Sequence, residues 1–341
     1  MKRAFTDSDQ LVLGVDIGGT KLAVGLVTMS GQVVAQERTP TQVKDGPEVI
    51  LTRLVTLCRQ VTAKAGVGWN RIVATGIGCG GPLENGVVKS PPNLPGWDDI
   101  PVAEFFSHEL GMPAYLENDA NAAALGEYFF GAGRGVANMV YLTISTGIGG
   151  GVITNGRLYR GENGNAAEIG HMVVVHGGRE CYCGNRGCLE AYASGSSLAR
   201  RAREKVLAAG QASLLPGLAG SVEAITAETL LQALELQDPL AHDIWNETVN
   251  ILGSGLASVI NLFNPRLVIL GGGIINFGER LFGPVRRIAL QRAMKPLAKV
   301  ADIVPAQLGA EVGIVGAAAV VLDKLQLLRT VREGTYGSFY A

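Results

Sequence analysis

The chain has 341 residues and a formal net charge of −1, with 47% hydrophobic and 17% charged residues. That length is too great for one ordinary core and predicts two domains, while the composition excludes disorder and the charge balance excludes a basic nucleic-acid or membrane-surface footprint. No apolar run reaches the eighteen or so residues needed to span a bilayer. The opening MKRAFTDSDQ lacks the apolar stretch of a signal peptide, so a cytoplasmic protein with reduced cysteines is expected.

In chain order, Leu11–Asp16 (LVLGVD) and Leu22–Val27 (LAVGLV) are apolar strands joined by IGGTK, and VVAQERT after Gly31–Gln32 is a third strand. Gly46–Ala65 carries helical periodicity with Pro47 near its start. Arg71–Gly78 is a strand ending in CGGP, and a loop rich in Pro, Asn and Gly follows to Trp97. VAEFFSHEL is a helix closed by Gly111, and PAYLEND is a strand running into the helix DANAAALGEYFFG. Met139–Thr154 repeats the strand–glycine turn–strand pattern, which predicts an internal duplication. Helices follow at Glu190–Ala209, Ala227–Gln237 and Pro239–Phe263. Asn264–Ile274 is a strand ending in GGG, succeeded by a helix near Glu279–Ala293, a strand at ADIVPA and a helix near Gly313–Leu328. Strands alternating with helices make the class α/β. The tail after Arg329 is expected to be poorly ordered.

Glycine, at 47 residues, is about twice its average share. It clusters at strand ends, where backbone N–H groups can approach a phosphate. VDIGGTK places Asp16 before Gly18, Gly19, Thr20 and Lys21. The carboxylate can hold hydrated Mg2+, and the turn adds a hydroxyl and a cation; the plain alternative is a hairpin capped by Asp16. STGIGGG (Ser145–Gly151), with Thr146 and Gly147, and the turn at Gly271–Gly273 are two more sites of this kind. None matches the Walker pattern or a G-x-G-x-x-G fingerprint.

LENDANAA puts Asn118 and Asp119 between a strand and a helix. Either caps a helix well, and a carboxylate there is also placed to accept a proton from a substrate hydroxyl. Glu168 and His171, in EIGH, are expected at a loop-to-strand edge. Glu190 heads a helix. ECYCGNRGCLEAY carries Cys181, Cys183 and Cys188 as C-x-C-x4-C. Three thiolates near a histidine favour structural zinc over a disulfide that would leave one cysteine unpaired. By spacing alone the fourth ligand is His171 or His176. Cys58 and Cys79 are read as unliganded thiols.

DIGGTK, the LPGW loop, ENDANAAALGE, TGIGGG, EIGH, C-x-C-G-x-x-G-C-L-E and the late LGGG together resemble the ROK family of bacterial glucokinases, other hexose kinases and sugar-responsive repressors. The resemblance runs from about Leu11 to Leu328. It implies an actin-like ATPase (ribonuclease H-like) duplicated fold, with two α/β domains flanking a cleft: a small one of residues 1–119 plus 311–341, and a large one of residues 120–310. It implies an ATP-dependent sugar kinase with Mg2+ and a structural Zn2+. By resemblance Asp119 is the catalytic base. Asn118, Gly81, Asn93, Glu168, His171 and Glu190 bind the sugar. Gly18, Gly19 and Thr20, then Thr146 and Gly147, hold phosphates, and Gly271 and Gly272 the adenosine. The family's zinc ligands fall on His171, Cys181, Cys183 and Cys188. Glucose is the expected substrate, with N-acetylmannosamine, N-acetylglucosamine, mannose and fructose as alternatives. A sugar-sensing regulator without kinase activity is the alternative of another class. A homodimer or higher homo-oligomer is expected, with the apolar helix near Trp245–Phe263 as interface or as core. No nucleic-acid or membrane partner is expected. Three positions depart from the family pattern: Ala167 where A-G-E is usual, Ser145 before T-G-I-G, and GCGGP near Cys79.

Overall fold

The computed structural model describes residues 10–209 and 213–332. Strands β1 (Leu11–Ile17), β2 (Lys21–Thr28) and β3 (Val33–Pro40) form an antiparallel meander. β1 is apolar almost throughout because it is central and covered on both faces. Helix α1 (Gly46–Ala65) takes Pro47 in its first turn, where a missing N–H costs nothing, and ends at Gly66 in the left-handed conformation. β4 (Ile72–Cys79) runs parallel to β1. A small hairpin, β5 (Leu83–Glu84) and β6 (Val87–Val88), lies within the segment expected to be all loop. Helix α2 (Val102–Leu110), strand β7 (Ala114–Asn118) parallel to β4, and helix α3 (Asp119–Phe130) follow.

The first sheet has the order β3-β2-β1-β4-β7. Its register aligns Ile17 with Cys79, and Cys79 with Asn118. The turns after β1, β4 and β7 therefore leave from one edge, the carboxyl ends of three parallel strands, where α/β sheets receive ligands.

The second sheet is built from β8 (Met139–Ile144), β9 (Ile148–Thr154), β10 (Arg157–Leu158), β11 (Leu267–Gly271) and β12 (Asp302–Pro305). Its order, β10-β9-β8-β11-β12, repeats that of the first, with β8, β11 and β12 parallel. This is the duplication that the paired strand–turn–strand segments predict. The helices are α4 (Glu190–Ala193), α5 (Gly195–Ala209), α6 (Leu215–Ala219), α7 (Ala227–Glu235), α8 (Pro239–Phe263), α9 (Glu279–Arg292), α10 (Lys295–Ala298) and α11 (Val312–Arg332). Ile244, Leu252, Leu256 and Ile260 of α8 are fully buried, so that helix is core along most of its length. None of the described helices is long and apolar enough to cross a membrane.

The helix expected over Glu190–Ala209 is broken in two. Ser194 is extended, and Gly195 N–H donates to Ser145 O (2.7 Å) and Ser196 N–H to Thr146 O (3.3 Å). The second glycine turn thus draws helical amides to itself and interrupts the helix. EIGH forms a single 3-10 turn at Ile169–His171, not a strand edge; only Val173, bridged to Cys188, pairs as a strand would. Helix α11 continues to Arg332, three residues into the tail expected to lack order, and residues 333–341 lie outside the described residues.

The chain divides into two compact units. One holds the described residues up to Gly135, Gly151–Ala166 and those from Gln307 on; the other holds Val136–Gly150 and Ala167–Ala306. Gly151–Ala166 and residues 307–310, placed with the large domain by the resemblance, therefore belong with the first unit, and so do residues 120–135. The cause is packing: Gly126 of α3 meets Gly316 of α11 so closely that a Cβ on Gly126 would sit 3.0 Å from Gly316 Cα.

Candidate active site

In the first unit, the turn Gly18–Lys21 closes with Gly18 N–H donating to Lys21 O at 3.1 Å. Thr41, fully buried, braces it: its hydroxyl donates to Gly18 O at 2.5 Å and its N–H to Thr20 O at 3.0 Å. Asn93 lies against the turn, since a Cβ on Gly19 would sit 2.5 Å from Asn93 O. Asp16 packs its carboxylate on Gly313, at the start of α11, where any side chain would collide with it. Burial, and then the neighbouring Asp119 charge, push the Asp16 carboxyl up from 3.8 to about 6.

At the end of β7, Asn118 is the N-cap of α3, and its Oδ1 accepts from Ala120 N–H (2.9 Å) and Asn121 N–H (3.2 Å). The cap turns Asp119 outward at the first helical position. Its side chain reaches solvent, yet dense protein surrounds the carboxyl and raises its pKa, against a lowering hydrogen bond from Ala120 N–H (2.8 Å). Gly81 stands beside Asn118: a Cβ on it would lie 3.3 Å from Asn118 Nδ2. The Gly81–Pro82 bond is cis. Asp16, Gly81, Asn93, Asn118 and Asp119 are thus gathered in one unit.

In the second unit, Thr146 and Gly147 turn between β8 and β9. The Gly271–Gly272 turn packs on the end of β8, with Gly272 in the left-handed conformation against Ile144. Glu190, buried, accepts the Ile148 N–H at 2.6 Å through Oε2, while its Oε1 lies 3.9 Å from Cys181 Sγ. Burial raises the Glu190 carboxyl, and the Ile148 N–H acts against that. A Cβ on Gly147 would sit 2.6 Å from Glu190 Oε2, so a larger residue here would push the carboxylate off the Ile148 N–H.

His171, Cys181, Cys183 and Cys188 bring their ligand atoms within 4.8 Å of one another. His171 Nδ1 lies 3.7 Å from Cys181 Sγ, and Cys183 Sγ 3.8 Å from Cys188 Sγ. Tetrahedral zinc, with about 2.3 Å to sulfur and about 2.0 Å to nitrogen, needs ligand separations of about 3.5–3.8 Å, so the cluster fits it. His176 is not in this cluster, which resolves the choice that spacing leaves open. All five cysteines are free thiols.

The family model described as "ROK family" matches residues 12–324. The chain belongs to the ROK family. It is 39% identical over 316 residues to the glucokinase of Thermotoga maritima, covering 92% of this chain and 98% of that protein. The ROK glucokinase of Streptomyces griseus, solved in complex with glucose and AMPPNP, is 37% identical with a TM-score of 0.77, covering 90% of this chain and 98% of that one. The ROK hexokinase of Thermus thermophilus is 36% identical, also at 0.77, with 93% and 99% covered. The fold is accordingly the duplicated actin-like ATPase fold.

Of the departures from the ROK pattern, Ala167 has a structural consequence. Its φ is 68°, in the left-handed region where the usual glycine is unstrained and an alanine is not. Several residues escape a motif reading. Thr41 carries no local signal. Glu117, Arg160 and Asp323 form an ion network of two buried carboxylates and one half-buried guanidinium, joined across 43 and 163 residues of sequence. Tyr182 sets its ring edge-on to His171 at 5.6 Å; of these, Glu117 opens ENDANAAALGE and Tyr182 lies between Cys181 and Cys183, and neither motif signals the contact its residue makes.

Proposed function

We propose that the protein transfers the γ-phosphoryl group of ATP to a hydroxyl of glucose, with Asp119 as general base. What carries this is Asp119 itself: a carboxylate with raised proton affinity, open to solvent, aimed by a capped helix start, in a unit that also holds a glycine turn for phosphate. Phosphoryl transfer demands such positioning and little covalent help. The sugar hydroxyl gives its proton to Asp119, its oxygen forms the bond to the γ-phosphorus, and the bond to the bridging oxygen breaks to release ADP.

Asn118, Gly81, Asn93, Glu168, His171 and Glu190 hold the remaining sugar groups. Gly18, Gly19, Thr20 and Lys21 together with Thr146 and Gly147 hold the phosphates, and Gly271 and Gly272 the adenosine. Asp16 offers the oxygen donor that Mg2+ takes, and the ion would offset phosphate charge. His171, Cys181, Cys183 and Cys188 would hold a structural zinc. With Nδ1 toward the thiols, the other ring nitrogen of His171 is left for a hydroxyl. A reducing cytoplasm suits five free thiols.

The test is a coupled assay with ATP against glucose, mannose, fructose, N-acetylglucosamine and N-acetylmannosamine. Glucose is expected to give the highest kcat/KM. Equal turnover of N-acetylmannosamine overturns glucose as the substrate, and turnover of no sugar overturns the kinase.

A further inference from the structure

Arg160 follows β10 and ties together three parts of the first unit. Its Nε donates to Glu117 Oε2 at 2.8 Å, and its terminal nitrogen to Asp323 Oδ2 of α11 at 2.8 Å. Both carboxylates are buried, each residue 6% exposed. The second oxygen of Glu117 accepts Asn118 N–H (3.2 Å) and Asn121 Nδ2 (3.1 Å). Through Glu117, then, Arg160 grips the backbone where Asn118 caps α3 and aims Asp119.

The other grip is through its own backbone. Arg160 O accepts Ala166 N–H at 3.2 Å and closes the loop between them. Asn165 in that loop embraces Leu83, its Nδ2 donating to Leu83 O and its Oδ1 accepting Leu83 N–H, both at 2.9 Å. Leu83 follows directly on Gly81–Pro82, and Gly81 flanks Asn118. One residue is thus tied both to the Asn118–Asp119 corner, through Glu117, and to the Gly81 loop, through Ala166 and Asn165.

We infer that Arg160 is a positioning residue for phosphoryl transfer, setting Asp119 and Asn118 against the Gly81 loop without touching substrate. This rests on the kinase function proposed above. The guanidinium is suited to it because its planar fork reaches two carboxylates at once, which a lysine ammonium on a flexible stem does not hold in one geometry. The phosphate turns have separate braces, Thr41 for the first and Glu190 for the second, so ATP binding should be insensitive to Arg160.

The experiment compares the parent with Arg160→Lys, which keeps the charge over two buried acids, and Glu117→Gln, which keeps the volume. Both are assayed well below their own melting temperatures. The expected result is a kcat about a hundredfold lower with a raised glucose KM, because small displacements of a base are amplified in rate. The KM for ATP should stay unchanged. A residue that only stabilised the fold would lower the melting temperature and leave kcat of the folded protein alone. That result for both variants overturns the inference. Hydrogen exchange is measured on the same proteins without substrate. The Asn118 and Asn121 amides, held through Glu117 and the Asn118 cap, should exchange about tenfold faster in Arg160→Lys. Unchanged protection there overturns the positioning role even if the parent phosphorylates no sugar, so its failure is distinct from failure of the kinase function.

Discussion

Glu190 takes the backbone N–H of Ile148 at 2.6 Å on one carboxylate oxygen and presents the other 3.9 Å from Cys181 Sγ. One buried side chain therefore joins the C-x-C-x4-C loop to the turn that carries Thr146 and Gly147. Glu190→Ala leaves the Ile148 N–H buried without an acceptor, at a cost of about 1–3 kcal/mol. Glu190→Gln keeps an acceptor and should cost less. Urea unfolding of the two variants checks the order, and kinetics should show glucose and ATP KM both raised in Glu190→Ala.

Cys183→Ala removes one of the four residues proposed to hold zinc. Zinc content, measured by atomic absorption, should fall from about one ion per chain to none. Activity should fall with it by about 10–100-fold, because His171 and Glu190 lose the brace that orients them. Full activity without metal would refute the brace.

Asp119→Asn keeps the shape of the side chain and removes the proposed base. Its kcat should drop by about 10²–10⁴-fold, with glucose affinity by calorimetry little changed. In the parent, crowding around Asp119 raises its carboxyl, so the acidic limb of the kcat profile should lie above the ordinary carboxylate range. A parent limb at the ordinary value would count against Asp119 as the titrating group.

Asp16 gives a pH dependence of stability. Its carboxyl, held at about 6 in the fold against 3.8 normally, favours the protonated form. The folded protein binds more proton than the unfolded chain between those values, so this contribution is present below about pH 4 and is lost as pH rises through 6. Asp16→Asn should therefore match the parent in stability near pH 4 and exceed it at pH 7.5, by about 1–2 kcal/mol after solvent screening. Denaturation midpoints at the two pH values decide it. Activity should be lost in the same variant.

The strands, most helices and the chemistry-bearing turns are legible in the chain before it folds, because those signals are local. Apolar runs mark central strands, glycines mark strand ends, and the Asn118 cap and Pro47 mark helix starts within a few residues of the structure they dictate. C-x-C-x4-C likewise keeps its three thiols together by spacing alone. Features that depend on partners distant in the chain emerge only in the folded molecule. The helix after Glu190 breaks at Ser194 because Ser145 and Thr146 claim its amides. The boundary of the first unit moves past α3 because Gly126 meets Gly316. His171 enters the cysteine cluster and His176 does not, since a 3-10 turn, not a strand, aims the ring. Glu117, Arg160 and Asp323 look like three ordinary charges until folding buries the two carboxylates around one half-buried guanidinium, where the cost of desolvation leaves each carboxylate needing it.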